Sequence, residues 1–327
     1  MRRRQFLGAL GGAAVQPFPA AAARLTRANV CFITDEVDRD LRPALEFASE
    51  LGIRQVELRS VDGQYCFRHD QRKLREVRAL LRKHGIRVAL LSTPALKCTL
   101  PGSELTPQAR REVQAAQSTF PVPDERQFPQ QMDFLRQAMA AAGILETDRL
   151  RIFSYWRVED REKERGRILE GIQRAVEAAE KEKIRLCIEN EQTCNLASCA
   201  ETAEALERIR SPYLGMVWDV VNGAATGENP YPEGFDRLDK KRIWHMHIKD
   251  DRLDPQTGRR QICAVGDGRT RYREIFTALG QAGYTGAVSM ETHFSINGSK
   301  AAASRRSMEG LLRAIDQLSA STATPGS

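Results

Sequence analysis

Four residues that could ligate a metal ion stand at the ends of short apolar segments in this 327-residue chain: Glu189, Asp219, His247 and Glu291. Burying several carboxylates together in apolar surroundings is unfavourable unless a cation balances their charge. A divalent metal ion, with the histidine as a further ligand, would supply that charge. Three carboxylates and one imidazole form an oxygen-rich set, which favours Mn²⁺, Mg²⁺ or Co²⁺ over a closed tetrahedral zinc centre. We therefore expect these residues to bind one divalent metal ion.

The apolar segments are expected to be β-strands, and helical patterns separate most of them. Eight strands are predicted, at residues 30–34, 55–59, 87–92, 150–154, 184–189, 214–219, 243–249 and 287–291. Helices are predicted at residues 41–51, 71–84, 130–142, 165–183, 200–209, 271–282 and 304–318. Several of them are expected to end at a glycine, and Gly143 is one such end.

Alternating strands and helices predict a parallel sheet, and eight strands predict a closed (β/α)8 TIM barrel, an α/β fold, as a single domain over residues 24–318. The alternative is a doubly wound open sheet. Such a sheet usually has a glycine-rich first turn, and none follows residues 30–34.

Side chains alternate between the two faces of a strand, so the apolar residues show which face packs on the helices. This leaves Glu57 and Arg59 facing inward on the second strand, and His245, His247 and Lys249 facing inward on the seventh. We expect Glu57, Arg59 and His245 to be near the substrate. The structural alternatives are a buried ion pair between Glu57 and Arg59, and a packed or ligand-orienting role for His245.

Five short motifs follow one another along the chain: Cys187-Ile-Glu-Asn190, Val217-Trp-Asp219, His245-Met-His-Ile-Lys-Asp250, Gly266-Asp-Gly268 and Ser289-Met-Glu-Thr292. In order and spacing they resemble those of the xylose-isomerase-like barrels, a superfamily of sugar isomerases, ketose 3-epimerases, inosose dehydratases and apurinic endonucleases. The most specific part is the His-x-His-x-Lys-Asp segment followed by the Gly-acid-Gly loop. The resemblance covers nearly all of residues 28–318, and it also implies metal ligation by the four residues named above.

The resemblance implies a metal-dependent isomerase or epimerase that acts on a sugar or keto-sugar. The metal would accept two adjacent substrate oxygens and stabilise an enediolate as the proton on carbon leaves. Glu189 and Glu291 would be the acid/base pair, and Lys249 could stabilise the developing oxyanion. An ion pair with Asp250 or Asp251 is the alternative for Lys249.

Other residues near the strand ends are expected to contact substrate. Asn222 stands where many epimerases of this group have a histidine, three residues after the ligand aspartate, which weakens the assignment of an epimerase. His293 could occupy related space or lie on the surface. Trp156 could stack on a sugar ring or pack its loop. Asp219 has a structural alternative as a helix N-cap.

Three other functions are weighed against the isomerase. A lyase or dehydratase would use the same enolate but expel a leaving group. An apurinic-endonuclease-like nuclease needs additional histidines, and this chain has five in all. A barrel that binds sugar without chemistry would not need four candidate ligands. The substrate is thus expected to be a small carbohydrate rather than nucleic acid.

Two long connections follow strands at the expected active-site end of the barrel. Residues 96–129 include a predicted helix at 106–117 and a Pro-Val-Pro loop at 121–123, and residues 223–237 are rich in glycine and proline. We expect them to form a lid or a substrate wall. Surface elaboration is the alternative.

The first 23 residues have the pattern of an export signal. Three arginines precede a weakly apolar stretch and four alanines at 20–23. The segment Arg3-Arg4-Gln5-Phe6-Leu7 resembles the twin-arginine motif, which predicts export to the periplasm. The apolar run is too short for a stable membrane anchor. Residues 319–327 are expected to be a disordered tail.

Charge and cysteine content narrow the function classes. The net charge is +7, or +4 without the three arginines of the leader, and it includes no long basic block. This balance does not favour nucleic-acid binding. Seven cysteines without a Cys-x-x-Cys pair indicate neither a disulfide scaffold nor a zinc ribbon. A homo-oligomer is compatible with the sequence, which does not specify it.

Overall fold

Eight short apolar segments form the parallel strands of one sheet. The structure, a computed structural model, describes residues 24–116 and 124–320. The predicted export signal and loop 121–123 lie outside these residues, as does most of the predicted tail. The strands are β1 (Val30–Phe32), β2 (Gln55–Leu58), β3 (Arg87–Ser92), β4 (Arg149–Ile152), β5 (Arg185–Glu189), β6 (Leu214–Asp219), β7 (Ile243–Ile248) and β8 (Ala287–Met290).

The strands are arranged in chain order around the sheet, and β1 pairs with β8 in parallel. At the opposite edge an isolated parallel bridge joins Ile33 to Glu57, which brings the end of β1 beside β2. The sheet is therefore nearly closed, and the predicted TIM barrel is confirmed. The doubly wound alternative would have two free edges instead.

Within the described residues, eight of the helices follow the eight strands in turn. Local side-chain caps begin several of them: Asp70 accepts a hydrogen bond from the Lys73 N–H, and Ser198 forms a capping box with Glu201. The helices are α1 (Leu41–Glu50), α2 (Gln71–Lys83), α3 (Gln131–Leu145), α4 (Arg161–Lys181), α5 (Cys199–Arg208), α6 (Val220–Ala225), α7 (Tyr272–Gln281) and α8 (Lys300–Ala320).

Smaller elements lie before the first strand and in the connections between the strands and the eight helices. Two-stranded hairpins form at Ser60–Val61 with Gln64–Tyr65 and at Asp250–Leu253 with Arg260–Cys263. A further helix at Pro107–Ala116 matches the helix predicted at 106–117. Short helical segments occur at Thr34–Val37, Asp124–Gln127, Pro230–Gly234 and Phe235–Arg237, and single 3-10 turns at Arg27–Asn29, Cys66–Arg68, Phe128–Gln130 and Lys240–Arg242.

Several predicted helix ends are wrong. Helix α3 passes through Gly143 and ends at Leu145, where Glu146 adopts the left-handed conformation with φ of 61°. A glycine inside a helix costs stability but does not by itself end the helix. Helix α4 begins earlier than predicted because Asp160 caps it by accepting the Lys163 N–H. Helix α8 includes the first two residues of the predicted tail.

The two faces of the strands pack differently. The outward apolar residues of β5 to β8, such as Ile188 and Trp218, join the large core beneath the helices. The inward face carries small apolar clusters, one of them formed by Leu90, Cys187 and Val217. Polar residues fill the rest of the barrel interior. The alternation therefore separates an apolar outer core from a polar inner face.

All seven cysteines are buried and unbridged. Within the part of the chain that the structure describes, no helix is both long and apolar enough to cross a membrane.

Candidate metal centre

The four predicted metal ligands meet at the carboxyl ends of four consecutive strands. Glu189 ends β5, Asp219 ends β6, His247 is the penultimate residue of β7, and Glu291 follows β8. The register places Asp219 beside His247. One candidate ligand atom from each residue lies within 4.8 Å of every other, and all four residues are buried. We call these residues the ligand set. No metal ion is included in the structure.

The imidazole of His247 links the ligand set to the barrel interior. Its Nδ1 lies 3.0 Å from Glu189 Oε1 and 3.6 Å from Glu291 Oε2. Its Nε2 points the other way, 3.1 Å from Glu57 Oε1. Burial alone would lower the pKa of His247, but these three carboxylates raise it well above its usual range. The surrounding carboxylates therefore favour the charged form of the imidazole.

Asp219 is a helix cap and also one of the four residues of the ligand set. Its Oδ1 accepts the Asn222 N–H at 2.8 Å and so caps helix α6. Its Oδ2 is buried and accepts no hydrogen bond, although Lys249 Nζ lies 2.8 Å away. Burial raises the pKa of Asp219, with Glu291 and Glu189 adding to the effect against the attraction of Lys249. Capping uses one oxygen and leaves the other for the ligand set.

The chemistry of the ligand set fits a divalent cation. It combines three carboxylates with one imidazole, which suits a hard or borderline metal ion. Glu189 Oε2, like Asp219 Oδ2, is a buried oxygen that accepts no hydrogen bond within the described residues. Each of the two oxygens already faces a cation of the chain, Arg151 at 3.1 Å and Lys249 at 2.8 Å, so both lie where positive charge is favoured.

Lys249 forms its ion pairs inside the ligand set. Its Nζ lies 2.8 Å from Asp219 Oδ2 and 2.9 Å from Glu291 Oε2. Burial opposes the charged form, but the surrounding carboxylates raise the pKa of Lys249 well above its usual range. The predicted alternative, an ion pair with Asp250 or Asp251, is wrong.

Asp250 instead organises the Gly-acid-Gly loop. Its Oδ2 accepts the backbone N–H groups of Gly266 and Gly268, at 3.0 and 3.2 Å. A Cβ atom on Gly268 would lie 2.2 Å from Asp250 Oδ1, so a side chain has no room there. Asp251 pairs with Arg260 and Arg269. This part of the motif thus supports the strand end that carries Lys249.

Glu57 and His245 lie within the barrel with no exposed surface. His245 Nε2 donates to Glu57 Oε2 at 2.9 Å, and Glu57 also contacts His247. A side chain without accessible surface offers no contact to a substrate in this conformation. The predicted pairing of Glu57 with Arg59 is absent, because Arg59 pairs with other acids.

Arg59 and His293 flank Glu291 on the side away from the ligand set. Arg59 forms ion pairs with Asp35 and Glu36, at 2.9 and 2.5 Å, and its Nη1 is 3.7 Å from Glu291 Oε1. His293 Nε2 is 2.9 Å from the same oxygen. Burial opposes ionisation, but His293, Lys249 and His247 hold the pKa of Glu291 well below its usual range. Sequence reasoning missed both Asp35 and Glu36, because they follow β1 in a short helix without a motif.

Arg151 is a further residue that the sequence prediction missed. It is buried on β4, and its Nη1 lies 3.1 Å from Glu189 Oε2. Burial opposes ionisation of Glu189, while His247 and then Arg151 lower its pKa. The alternation of Leu150 and Ile152, both facing the helices, could have revealed Arg151 as an inward cation.

The aromatic residues after β4 are packed into the loop layer. Trp156 is 3% exposed, and Lys97 Nζ lies 5.1 Å from the centre of its ring. Tyr155 is equally buried, and Arg157 pairs with Glu201. These contacts agree with the alternative that the aromatic residues pack their loop. Stacking of Trp156 on a sugar stays a prediction.

Asn222 is buried beside Glu189, with its Nδ2 3.4 Å from Glu189 Oε1. Its amide therefore reaches the ligand set. Contact between Asn222 and a substrate also stays a prediction.

Comparisons with known proteins agree with this fold. Comparison with curated proteins finds no match. Several solved structures are similar to this chain. One is the probable 3-DHS dehydratase AsbF of Bacillus anthracis, which is involved in petrobactin synthesis. It is 17% identical, with a TM-score of 0.65, and the alignment covers 86% of this chain and 98% of that chain. The IolI protein with a bound zinc atom is 17% identical, with a TM-score of 0.67, and the alignment covers 89% of this chain and 99% of that chain.

A D-tagatose 3-epimerase-like protein is also 17% identical, with a TM-score of 0.63 and coverage of 90% of this chain and 100% of that chain. At such identities the similarity shows the fold alone. The model of one family, the xylose isomerase-like TIM barrel, matches residues 45–315. The chain belongs to the xylose isomerase-like TIM barrel family.

Proposed function

We propose that this protein is a metal-dependent sugar isomerase or epimerase that moves a proton on the carbon next to a carbonyl. One observation carries the proposal. Glu189 and Glu291 both approach Nδ1 of His247, at 3.0 and 3.6 Å, from strands on either side of β6 and β7. Because the two carboxylates come from different strands to the same nitrogen, they can lie on two sides of a substrate bound there, one as base and one as acid.

Each of these carboxylates has its second oxygen beside a cation. Glu189 Oε2 faces Arg151 at 3.1 Å, and Glu291 Oε1 faces Arg59 at 3.7 Å. The neighbouring cations favour the ionised form, which is the form that accepts a proton. A divalent ion, when bound, would supply Lewis acidity toward the substrate oxygens. Lys249, between Asp219 and Glu291, supplies a fixed positive charge for an oxyanion.

The substrate we infer is an uncharged sugar. Within the described residues, each arginine or lysine that approaches the ligand set is already paired with carboxylates of the chain. Arg151 faces Glu189, Arg59 faces Asp35 and Glu36, and Lys249 lies between Asp219 and Glu291. A phosphate or carboxylate on the substrate would have to compete with these pairs for cations. Neutral hydroxyl and carbonyl groups avoid that competition.

Hydrogen exchange tests the proposal directly. The protein loaded with Mn²⁺ should incorporate deuterium from D₂O into neutral keto-sugars, measured by mass spectrometry, and removal of the metal with EDTA should abolish exchange. Glu291→Gln should lower the exchange rate by about 10²-fold or more. Glu46→Gln on the exposed side of α1 is the control. Undiminished exchange in Glu291→Gln would remove the acid/base role of Glu291.

A lyase or dehydratase is the second candidate, and His293 favours it. Elimination needs an acid for the leaving group, and His293 is a partly exposed imidazole beside the buried Glu291, with a side chain 40% exposed. Asn222, in place of an epimerase histidine, agrees with this alternative. Products of unchanged mass support the isomerase, whereas loss of the mass of a leaving group supports the lyase.

A further inference from the structure

Glu57 is a buried carboxylate that accepts hydrogen bonds from three side chains. His245 Nε2 lies 2.9 Å from Glu57 Oε2, and His247 Nε2 lies 3.1 and 3.2 Å from the two carboxylate oxygens. The Ser92 hydroxyl donates to Oε1. None of these groups has any exposed surface. The pairing register of β2 with β3 shifts immediately before Glu57, and such irregularities often re-aim a side chain.

The position of Glu57 relative to His247 has a chemical consequence. An imidazole can present a lone pair at Nδ1 only if its remaining proton is on Nε2. An ionised carboxylate has no proton to donate, so at Nε2 it selects the protonated form of that nitrogen. Glu57 therefore favours the tautomer whose free lone pair at Nδ1 points toward Glu189, Asp219 and Glu291.

We propose that Glu57 is the positioning residue that holds His247 in its Nε2–H tautomer and turns Nδ1 toward the metal. This inference rests on the metal site of the proposed function. It assigns to Glu57 a role in binding the metal rather than the substrate contact predicted from the sequence. Carboxylates behind metal-ligating histidines commonly have this effect.

The same three residues could instead be considered as ligands of a second metal ion, since donor atoms of Glu57, His245 and His247 also lie within 4.8 Å of one another. Such an ion would require loss of the Nε2 proton from both histidines. It would also require Glu57 to give up its hydrogen bonds in a fully buried space. The hydrogen-bonded arrangement needs neither change, so we favour one ion per chain.

Glu57→Gln tests the proposal because a glutamine amide can present an N–H to His247 Nε2 and move the imidazole proton to Nδ1. Mn²⁺ affinity of the EDTA-treated full chain should fall by about 10- to 100-fold, measured by isothermal titration calorimetry. Ser92→Ala removes one donor but keeps the carboxylate, so its affinity should stay within about threefold of the wild type. Thermal unfolding of both metal-free variants reports whether they fold.

A second measurement separates positioning from general support of the fold. Long-range ¹H–¹⁵N spectra of the zinc-loaded protein should show His247 protonated at Nε2 in the wild type and a changed or mixed state in Glu57→Gln. Wild-type metal affinity and an unchanged His247 spectrum in Glu57→Gln would overturn the proposal while leaving the metal site intact. Two ions per wild-type chain and one in the variant would overturn it in favour of a second site. Absence of metal binding by the wild type would instead overturn the proposed function and this inference together.

Discussion

Lys249 Nζ lies 2.8 Å from Asp219 Oδ2, so the ammonium contacts a carboxylate of the ligand set directly. The same ammonium is 2.9 Å from Glu291 Oε2. A metal ion bound by these carboxylates would have a fixed positive charge as its neighbour. The two cations must share the carboxylates or repel one another.

Lys249→Met should therefore strengthen metal binding while it slows catalysis. Loss of the ammonium removes repulsion of the metal ion, and Mn²⁺ affinity should rise by about tenfold. Deuterium exchange into substrate should fall, because the oxyanion loses its fixed charge. Titration calorimetry and exchange rates at saturating Mn²⁺ measure the two effects. The exposed Lys181→Met is the control, and weaker metal binding in Lys249→Met would contradict the prediction.

Arg151→Met should shift the pH dependence of catalysis. Arg151 helps His247 to hold the pKa of Glu189 below its usual range. Without that positive charge the pKa of Glu189 rises, so a larger fraction is protonated at any acidic pH. The acidic limb of kcat/KM against pH should move to higher pH, whereas Arg174→Met on the exposed side of α4 should leave it unchanged. A uniform loss of activity without a shift would contradict this prediction.

The loss of stability caused by Glu191→Gln should depend on pH. Lys97 Nζ lies 3.2 Å from Glu191 Oε2, and although burial opposes ionisation, Lys97 and Lys249 lower the pKa of Glu191 to about 2. The ionised carboxylate therefore stabilises the fold fully above the unfolded pKa, and that contribution is lost as pH falls from about 4.5 toward about 2.

Urea unfolding should show the wild type more stable than Glu191→Gln by about 1–3 kcal/mol at neutral pH, with a difference that narrows toward pH ~3. Glu159→Gln on the exposed side of the loop before α4 should show no such trend. A difference that stays constant with pH would mean that packing, rather than charge, accounts for the effect.

Substitution by alanine should change the free energy of unfolding in opposite directions at two glycines. A Cβ on Gly268 would lie 2.2 Å from Asp250 Oδ1 and 2.5 Å from the carbonyl oxygen of Asp251, so Gly268→Ala should destabilise the protein by about 1–3 kcal/mol. Gly143 lies inside helix α3 with nothing within 4 Å of its added Cβ. Gly143→Ala should therefore stabilise the protein by roughly 0.5–1 kcal/mol. Urea unfolding of both variants measures the contrast, and equal effects would contradict it.

The sequence by itself determined the barrel and the convergence of its ligand set. Apolar alternation identified eight strands, and parallel strands must bring their carboxyl ends to the same end of a barrel. Glu189, His247 and Glu291 could therefore be placed together from local pattern and motif. The same alternation could also have identified Arg151 as an inward residue, although it carries no motif and was missed. Helix ends were less predictable because caps such as Asp160 depend on one hydrogen bond.

Only the tertiary structure decided which inward side chains touch. Glu57 and His247 are 190 residues apart, and their hydrogen bond depends on the closure of the barrel and on the height of each side chain within it. Strand periodicity specifies a face but no partner across the interior. For that reason Lys249 pairs with Asp219 and Glu291 rather than with its neighbours in sequence, and Glu57 contacts Nε2 of His247 instead of pairing with Arg59.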